Sequence, residues 1–208
     1  MRRKSKLNDR IDRCAHLLVA EPEGLRERWL SEFRFDELHV ELGCGKGLFT
    51  VETAKSEPDI LFVALEKIDN VLVIALERTE ESCLQNVLYL NKLADDLASF
   101  FAEGEISRIY INFCDPWPAN RHKKRRLTGR RFLELYKMVL QPKGEIHFKT
   151  DDLSLFEFSL NEFKRCGFAL FEVTYNLHER IPVGIMTDYE AKFHELDKPI
   201  YRCVVRNA

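Results

Sequence analysis

Chemistry is concentrated in three short stretches. The most conspicuous is Asp115-Pro116-Trp117-Pro118, followed closely by Arg121-His122-Lys123-Lys124-Arg125-Arg126. The acid leaves the end of an apolar run at 108–113. Each proline fixes its own φ and pushes the residue before it toward extended geometry, so the exit reads as a stiff loop. Of the eleven residues from Arg121 to Arg131, seven are Lys or Arg. A rigid carboxylate beside so dense a cationic surface suits a reaction on a phosphate-bearing polymer. Taken alone, Asp115 is equally a turn residue and Trp117 a packing anchor; the basic run tilts the balance toward a site.

The second stretch is Glu41-Leu42-Gly43-Cys44-Gly45-Lys46-Gly47, between an apolar strand and a helix, where glycines permit a tight turn and close approach of a ligand to the backbone. Its G-x-G-x-G spacing lacks the last glycine of the dinucleotide fingerprint and the G-K-[ST] ending of a phosphate loop. Glu41 repels a pyrophosphate but suits a ligand that carries an amino group and a sulfonium cation. S-adenosyl-L-methionine has both and no phosphate. The third stretch is Glu66, 21 residues after Gly45. An acid closing the second strand can accept both ribose hydroxyl protons, which implies adenosine; its other reading is a favourable charge at the N-terminus of the next helix.

The pattern that positions these residues is regular from residue 37. Strands are expected at Glu37 to Leu42, Ile60 to Leu65, Val87 to Leu90, Arg108 to Phe113, Glu145 to Lys149, Phe168 to Tyr175 and Pro199 to Arg206. Helices are expected at Gly47 to Ser56, 68–83, Leu93 to Phe101, Arg131 to Leu140 and Leu153 to Cys166. This alternation predicts a doubly wound α/β sheet with helices on both faces. Ligands then bind beyond the strand C-termini at the topological switch point, where Glu41, Glu66 and Asp115 should converge.

The 208 residues suit one domain, with 32 Lys plus Arg against 34 Asp plus Glu. The formal charge of -2 means that nucleic-acid binding must come from local clustering. Six cysteines stand at no metal-finger or redox spacing, which suits buried thiols in a reducing cytosol and argues against a structural zinc. No apolar run approaches the roughly 20 residues needed to span a bilayer, and the charged N-terminus has no signal-peptide core behind it, so a cytoplasmic protein is expected. Residues 1–13 carry six basic side chains against two acidic ones, a solvated tail or an arm that touches nucleic acid. Residues 17–35 read as a lead-in packed on the domain edge. The stretch 178–195 reads as a loop over the crevice, with Thr187 able to cap a short helix.

The sequence resembles the bacterial tRNA (guanine-N7-)-methyltransferases of the TrmB type. The resemblance rests on Val40 to Gly47, Glu66-Lys67, Asn112-Phe113 with Asp115-Pro116-Trp117-Pro118, and Arg121 to Leu127. It extends to His147-Phe148-Lys149-Thr150-Asp151 and Thr187-Asp188-Tyr189-Glu190, and covers about residues 38–206. It implies a Rossmann-like class I methyltransferase domain at 37–208, its sheet mostly parallel with the last strand antiparallel, behind a basic arm and lead-in at 1–36. The implied reaction is methyl transfer from S-adenosyl-L-methionine to N7 of the variable-loop guanosine, tRNA position 46, giving 7-methylguanosine. It further implies tRNA as partner, no metal, and a monomer or homodimer. Cofactor contacts would fall to Glu41, Gly43, Gly45, Gly47, Glu66, Asn91, Leu93 and Asp115, with Asp115 also catalytic. Substrate contacts would fall to Asp151, Thr187, Asp188, Tyr189 and Glu190, joined by Arg121, Lys123, Lys124, Arg125 and Arg126. Two positions depart from the pattern. Leu93 stands where the family carries Asp in an Asn-x-Asp-Ala context, leaving Asn91, Asp95 or a backbone group to meet the adenine edge. Ala119 stands where a Lys is usual, and Lys123 or Lys124 could supply that charge. A silent RNA-binding module on the same fold and a methyltransferase with a non-tRNA substrate are the alternatives.

Overall fold

Short apolar runs such as Ile60-Leu61-Phe62-Val63-Ala64-Leu65 cannot leave either face in water, so they must become inner strands covered on both sides. In the computed structural model, which describes residues 2–179, 184–190 and 198–207, they do. The strands are β1 (Glu37–Leu42), β2 (Ile60–Leu65), β3 (Val87–Leu90), β4 (Ile106–Asn112), β5 (Leu140–Thr150), β6 (Ala169–Thr174) and β7 (Tyr201–Arg206). They form one sheet in the order β3-β2-β1-β4-β5-β7-β6. β7 runs antiparallel to both of its neighbours, β5 and β6. β1 pairs in parallel with β2 on one side and β4 on the other, so the chain leaves their C-terminal ends in opposite directions and opens a crevice there.

The helices are α1 (Arg2–Arg13), α2 (Trp29–Phe33), α3 (Leu48–Ser56), α4 (Asp69–Glu81), α5 (Leu97–Phe100), α6 (Arg130–Val139) and α7 (Leu153–Arg165). On one face of the sheet Leu38, Val40 and Leu42 pack with Phe132, Phe156 and Phe163; on the other Phe62 and Tyr110 pack with Phe49, Leu72 and Ala75. Alternation along β1 therefore turns Glu41 away from the Leu38, Val40 and Leu42 face.

Three elements differ from the sequence expectation. β5 begins at Leu140, not Glu145, because a register shift between Ile106 and Arg108 absorbs 141–144, where Pro142 need not join a regular ladder. Residues 2–13 form a helix, not a tail: Arg10 grips Glu77 of α4 through two bonds of 2.7 and 2.5 Å, and His16 lies 2.9 Å from Glu80. The lead-in is part of the core. Trp29 is fully buried and donates its indole N–H to the Phe100 carbonyl at 2.9 Å, and the Val19 N–H meets the Tyr89 carbonyl at 2.9 Å. Of the expected loop over the crevice, residues 180–183 and 191–195 lie outside the described residues; 188–190 make one helical turn. Among the described residues no helix is long and apolar enough to cross a membrane. Among the same residues no cluster of three or more His, Cys, Asp or Glu could hold a metal, and the cysteines are free.

Candidate active site

The glycine turn follows β1, and its three glycines take φ of +78°, +59° and +76°, a region that side chains disfavour. They serve two purposes. Open space surrounds the position a Cβ would take at Gly43 and at Gly45, so the backbone there is bare. At Gly47 a Cβ would stand 2.7 Å from that of Ala75, so this glycine lets α3 approach α4. The N–H groups of Gly43 and Cys44 both donate to the Leu65 carbonyl, at 2.9 and 3.0 Å, tying the turn to the end of β2. Glu66, the next residue, accepts the Gly45 N–H at 3.2 Å and the Ile68 N–H at 3.0 Å, one on each oxygen, and each oxygen retains further acceptor capacity. Asn91 donates to the Glu66 carbonyl (3.1 Å) and to Asp69 (3.0 Å), which fixes the strand end.

A crevice of about 640 Å³ opens at this switch point, lined by Gly43, Glu66, Ile68, Leu93, Asp95, Phe113, Asp115, Trp117, Lys124, Arg125 and Arg131 among others. Of the three acids expected to converge, Glu66 and Asp115 line it. Glu41 lies beneath the floor, 3% exposed, accepting bonds from Thr50 and from Asn112 (2.9 Å). Burial pushes its carboxyl up, and the Thr50 and Asn112 bonds and nearby Lys149 only partly offset that. Leu93 is half exposed on the wall. Asp95 is engaged by Arg131 at 2.7 Å.

The Asp115 loop is strained on both sides. Phe113 (φ +54°) and Trp117 (φ +42°) are left-handed without being glycine, a condition that persists only where the surroundings enforce it. Trp117 precedes Pro118 and was expected to be extended. Arg126 enforces the difference: its guanidinium donates to the Pro116 carbonyl at 2.9 Å and the Trp117 carbonyl at 3.1 Å, and stacks 4.4 Å over Phe158. At 4% exposure Arg126 is a brace within the fold, not the phosphate contact expected of it. Arg125 lies 4.8 Å over the Trp117 ring, and His122 meets that ring edge to face, with centroids 5.6 Å apart. Of the two lysines that could stand in at Ala119, Lys124 lines the crevice; Lys123 and Arg121 are exposed outside it. Burial, with Asp115 nearby, pushes the Cys114 thiol up to about 12, so it stays protonated.

The late segment flanks the crevice. Lys149, near the end of β5, donates to Glu190 and to the Ile185 carbonyl, both at 3.1 Å, and Glu190 is 1% exposed. Thr187 accepts the Glu190 N–H at 2.9 Å and so caps the 188–190 turn. Tyr189 is nearly half exposed, its ring 5.2 Å from that of Phe113 and its hydroxyl 3.5 Å from half-buried Asp151. Asp188 pairs with Arg78 at 2.8 and 3.0 Å. Sequence reasoning passed over Arg78, and it quoted Asn112 and Lys149 within matching segments without giving them a role. The last two carried a signal, since a polar residue at the C-terminal end of a buried strand of this fold points toward the ligand crevice.

Bare glycine backbone, an acid at the tip of β2 and apolar flanks at Ile68 and Leu93 fit a nucleoside-bearing ligand, and the volume lies in the range of about 300–1,000 Å³ common for small-molecule sites. The family model described as "Putative methyltransferase" matches residues 36–203. The tRNA (guanine-N(7)-)-methyltransferase of Geobacillus kaustophilus is 47% identical over 205 residues, covering 98% of this chain and 94% of that protein. That of Bacillus velezensis is 45% identical over 207 residues, covering 99% and 95%. Among solved structures, the 16S rRNA methyltransferase KamB superposes with a TM-score of 0.67 at 16% identity over 86% of this chain and 92% of that one. A SAM-dependent methyltransferase from Aquifex aeolicus gives 0.58 at 13% over 95% and 98%. Near-full-length identity to these relatives, on a seven-stranded sheet with an antiparallel β7, makes this chain a member of the bacterial tRNA (guanine-N7-)-methyltransferase family.

Proposed function

We propose that this protein is a cytoplasmic tRNA (guanine-N7-)-methyltransferase that uses S-adenosyl-L-methionine and acts on the variable-loop guanosine. The observation that carries the reading is the union of a nucleoside-sized crevice with Asp115 and the Lys124 and Arg125 cations on its wall, in a chain close to relatives of that name. S-adenosyl-L-methionine supplies an electrophilic methyl group on a sulfonium. The bare turn at Gly43 and Gly45 would hold it by backbone contact, with Glu66 accepting from ribose hydroxyls and Ile68 and Leu93 flanking the adenine.

The guanine N7 lone pair is available at neutral pH, so the chain need not remove a proton; it must hold N7 in line with the methyl group. Asp115 accepts hydrogen bonds from the guanine edge and offsets the positive charge that grows on the base. Arg126 holds the Asp115 loop from below. Lys124 and Arg125, with Arg121 and Lys123 outside the crevice, grip phosphates. The base must leave its stack to reach the crevice, and the half-exposed Tyr189 ring beside Phe113 is the better placed surface to receive it, since Arg125 and His122 already cover Trp117.

Transfer of labelled methyl from S-adenosyl-L-methionine to unmodified bulk tRNA, followed by nucleoside analysis, should yield 7-methylguanosine. Asp115→Asn should lower kcat about 100-fold or more, with an unchanged unfolding midpoint. Tight tRNA binding without any transfer would sink the assignment in favour of a silent RNA-binding module.

A further inference from the structure

Asp188 belongs to the late stretch expected to touch substrate, yet both of its oxygens face Arg78, at 2.8 and 3.0 Å. The same Arg78 donates at 2.9 Å to the carbonyl of Lys46, in the glycine turn between Gly45 and Gly47. Arg78 lies one helical turn beyond Ala75, against which Gly47 packs. α4 therefore holds the turn at two points, one by close packing and one by a hydrogen bond, and Asp188 fixes the guanidinium that makes the second. A guanidinium gripped by a carboxylate in a two-point fork keeps one orientation; released, its long side chain samples many and the Lys46 carbonyl loses its donor. Asp188 titrates below its ordinary range: burial raises it, but Arg78 and the Leu48 amide outweigh that. Its neighbours are fastened too, Thr187 as a cap, Tyr189 against Phe113 and Asp151, and Glu190 on Lys149.

We propose that Asp188 is a positioning residue for the cofactor turn, acting through Arg78 on the Lys46 carbonyl, and that it does not touch tRNA. This rests on the reading of the crevice as the S-adenosyl-L-methionine site. Asp188 and Arg78 then act as one unit, and their loss weakens the cofactor before it affects the nucleic acid.

The test is calorimetric binding of S-adenosylhomocysteine, without tRNA, to the wild type, Asp188→Asn, Arg78→Gln and the double variant, with the KM for tRNA measured alongside. Each single variant should weaken S-adenosylhomocysteine about tenfold, and the double variant should be no worse than the weaker single one. The KM for tRNA at saturating cofactor should stay within about twofold of wild type, the scatter of an untouched contact. Unchanged S-adenosylhomocysteine affinity with a raised KM for tRNA in Asp188→Asn would make Asp188 a substrate contact and overturn the proposal, as would losses that simply add. If Arg78→Gln does not fold, Arg78→Lys keeps the charge and gives up the fork; it should still weaken S-adenosylhomocysteine, and wild-type affinity there also overturns the proposal. A wild-type protein that does not bind S-adenosylhomocysteine would overturn the crevice assignment itself and this proposal with it.

Discussion

Adjacent arginines in the basic run do different work. Arg125 lies exposed over Trp117, whereas Arg126 is buried and holds the Pro116 and Trp117 carbonyls. Replacing Arg126 with Met, which keeps much of its packing, should cost about 1–3 kcal/mol in a denaturant melt, since two buried carbonyls lose their donor. It should also lower kcat, since the strained Asp115 loop loses what enforces it; wild-type turnover in Arg126→Met would refute the brace. Composition could not separate the two residues. The fold does, through the turn in which the Arg126 N–H meets the Lys123 carbonyl at 3.2 Å and the Gly129 N–H meets that of Arg126 at 2.9 Å. That Glu66 and Asp115 line one crevice was legible because a strand end and a proline-stiffened exit announce themselves locally. The Arg78 partner of Asp188 was not, since the two stand 110 residues apart and no spacing rule links them.

At the scale of elements, β1, β2 and β3 were legible to the residue because their apolar runs are buried on both faces, and a run bounded by polar residues marks its own ends. α1 was not, because its apolar stripe is only Leu7 and Ile11 among many charges, and ion pairs to Glu77 on distant α4 help to hold it. The strands also bury His39 and half-bury His147. His39 of β1 and His147 of β5 flank Tyr110 of β4, with ring centroids 5.8 and 5.2 Å away. Burial, with the Arg108 charge adding to it, pushes His39 down to about 3; burial, only partly countered by Glu145, pushes His147 down to about 4. Both stay neutral in the fold and gain a proton on unfolding below their ordinary value of about 6.5. The unfolded chain binds more protons between those limits, so stability is full above pH 6.5 and falls as the pH drops toward the folded values. For His39 alone the loss between about pH 7 and pH 5 should be about 2 kcal/mol. Unfolding midpoints across that window check it. His39→Leu should flatten the curve, and an unaltered pH dependence in that variant would refute the assignment.

For the molecule as a whole, a formal charge of -2 forbids any general attraction to nucleic acid, so affinity must come from the patch beside the crevice. The affinity for tRNA should fall steeply with salt, and Lys124→Gln or Arg125→Gln should each reduce the slope of log K against log salt by about 1. Arg126→Met should leave that slope alone. Filter binding over a salt series decides both, and equal slopes for all three variants would mean that the patch does not carry the binding. The doubly wound arrangement was legible from the alternation of strand and helix, and the reversal of the last strand only from the family resemblance; its place between β5 and β6 was not, because order within a sheet depends on which edges are free to pair. That insertion bears on how the protein is made. Among the described residues β6 pairs only with β7 in the sheet, and β7 is supplied by residues 201–206. As the chain leaves the ribosome, the first five strands can assemble in turn while β6 waits unpaired and β5 presents a bare edge. The sheet is completed only when residues 201–206 slot between strands made earlier, so the fold closes after every other strand has been made.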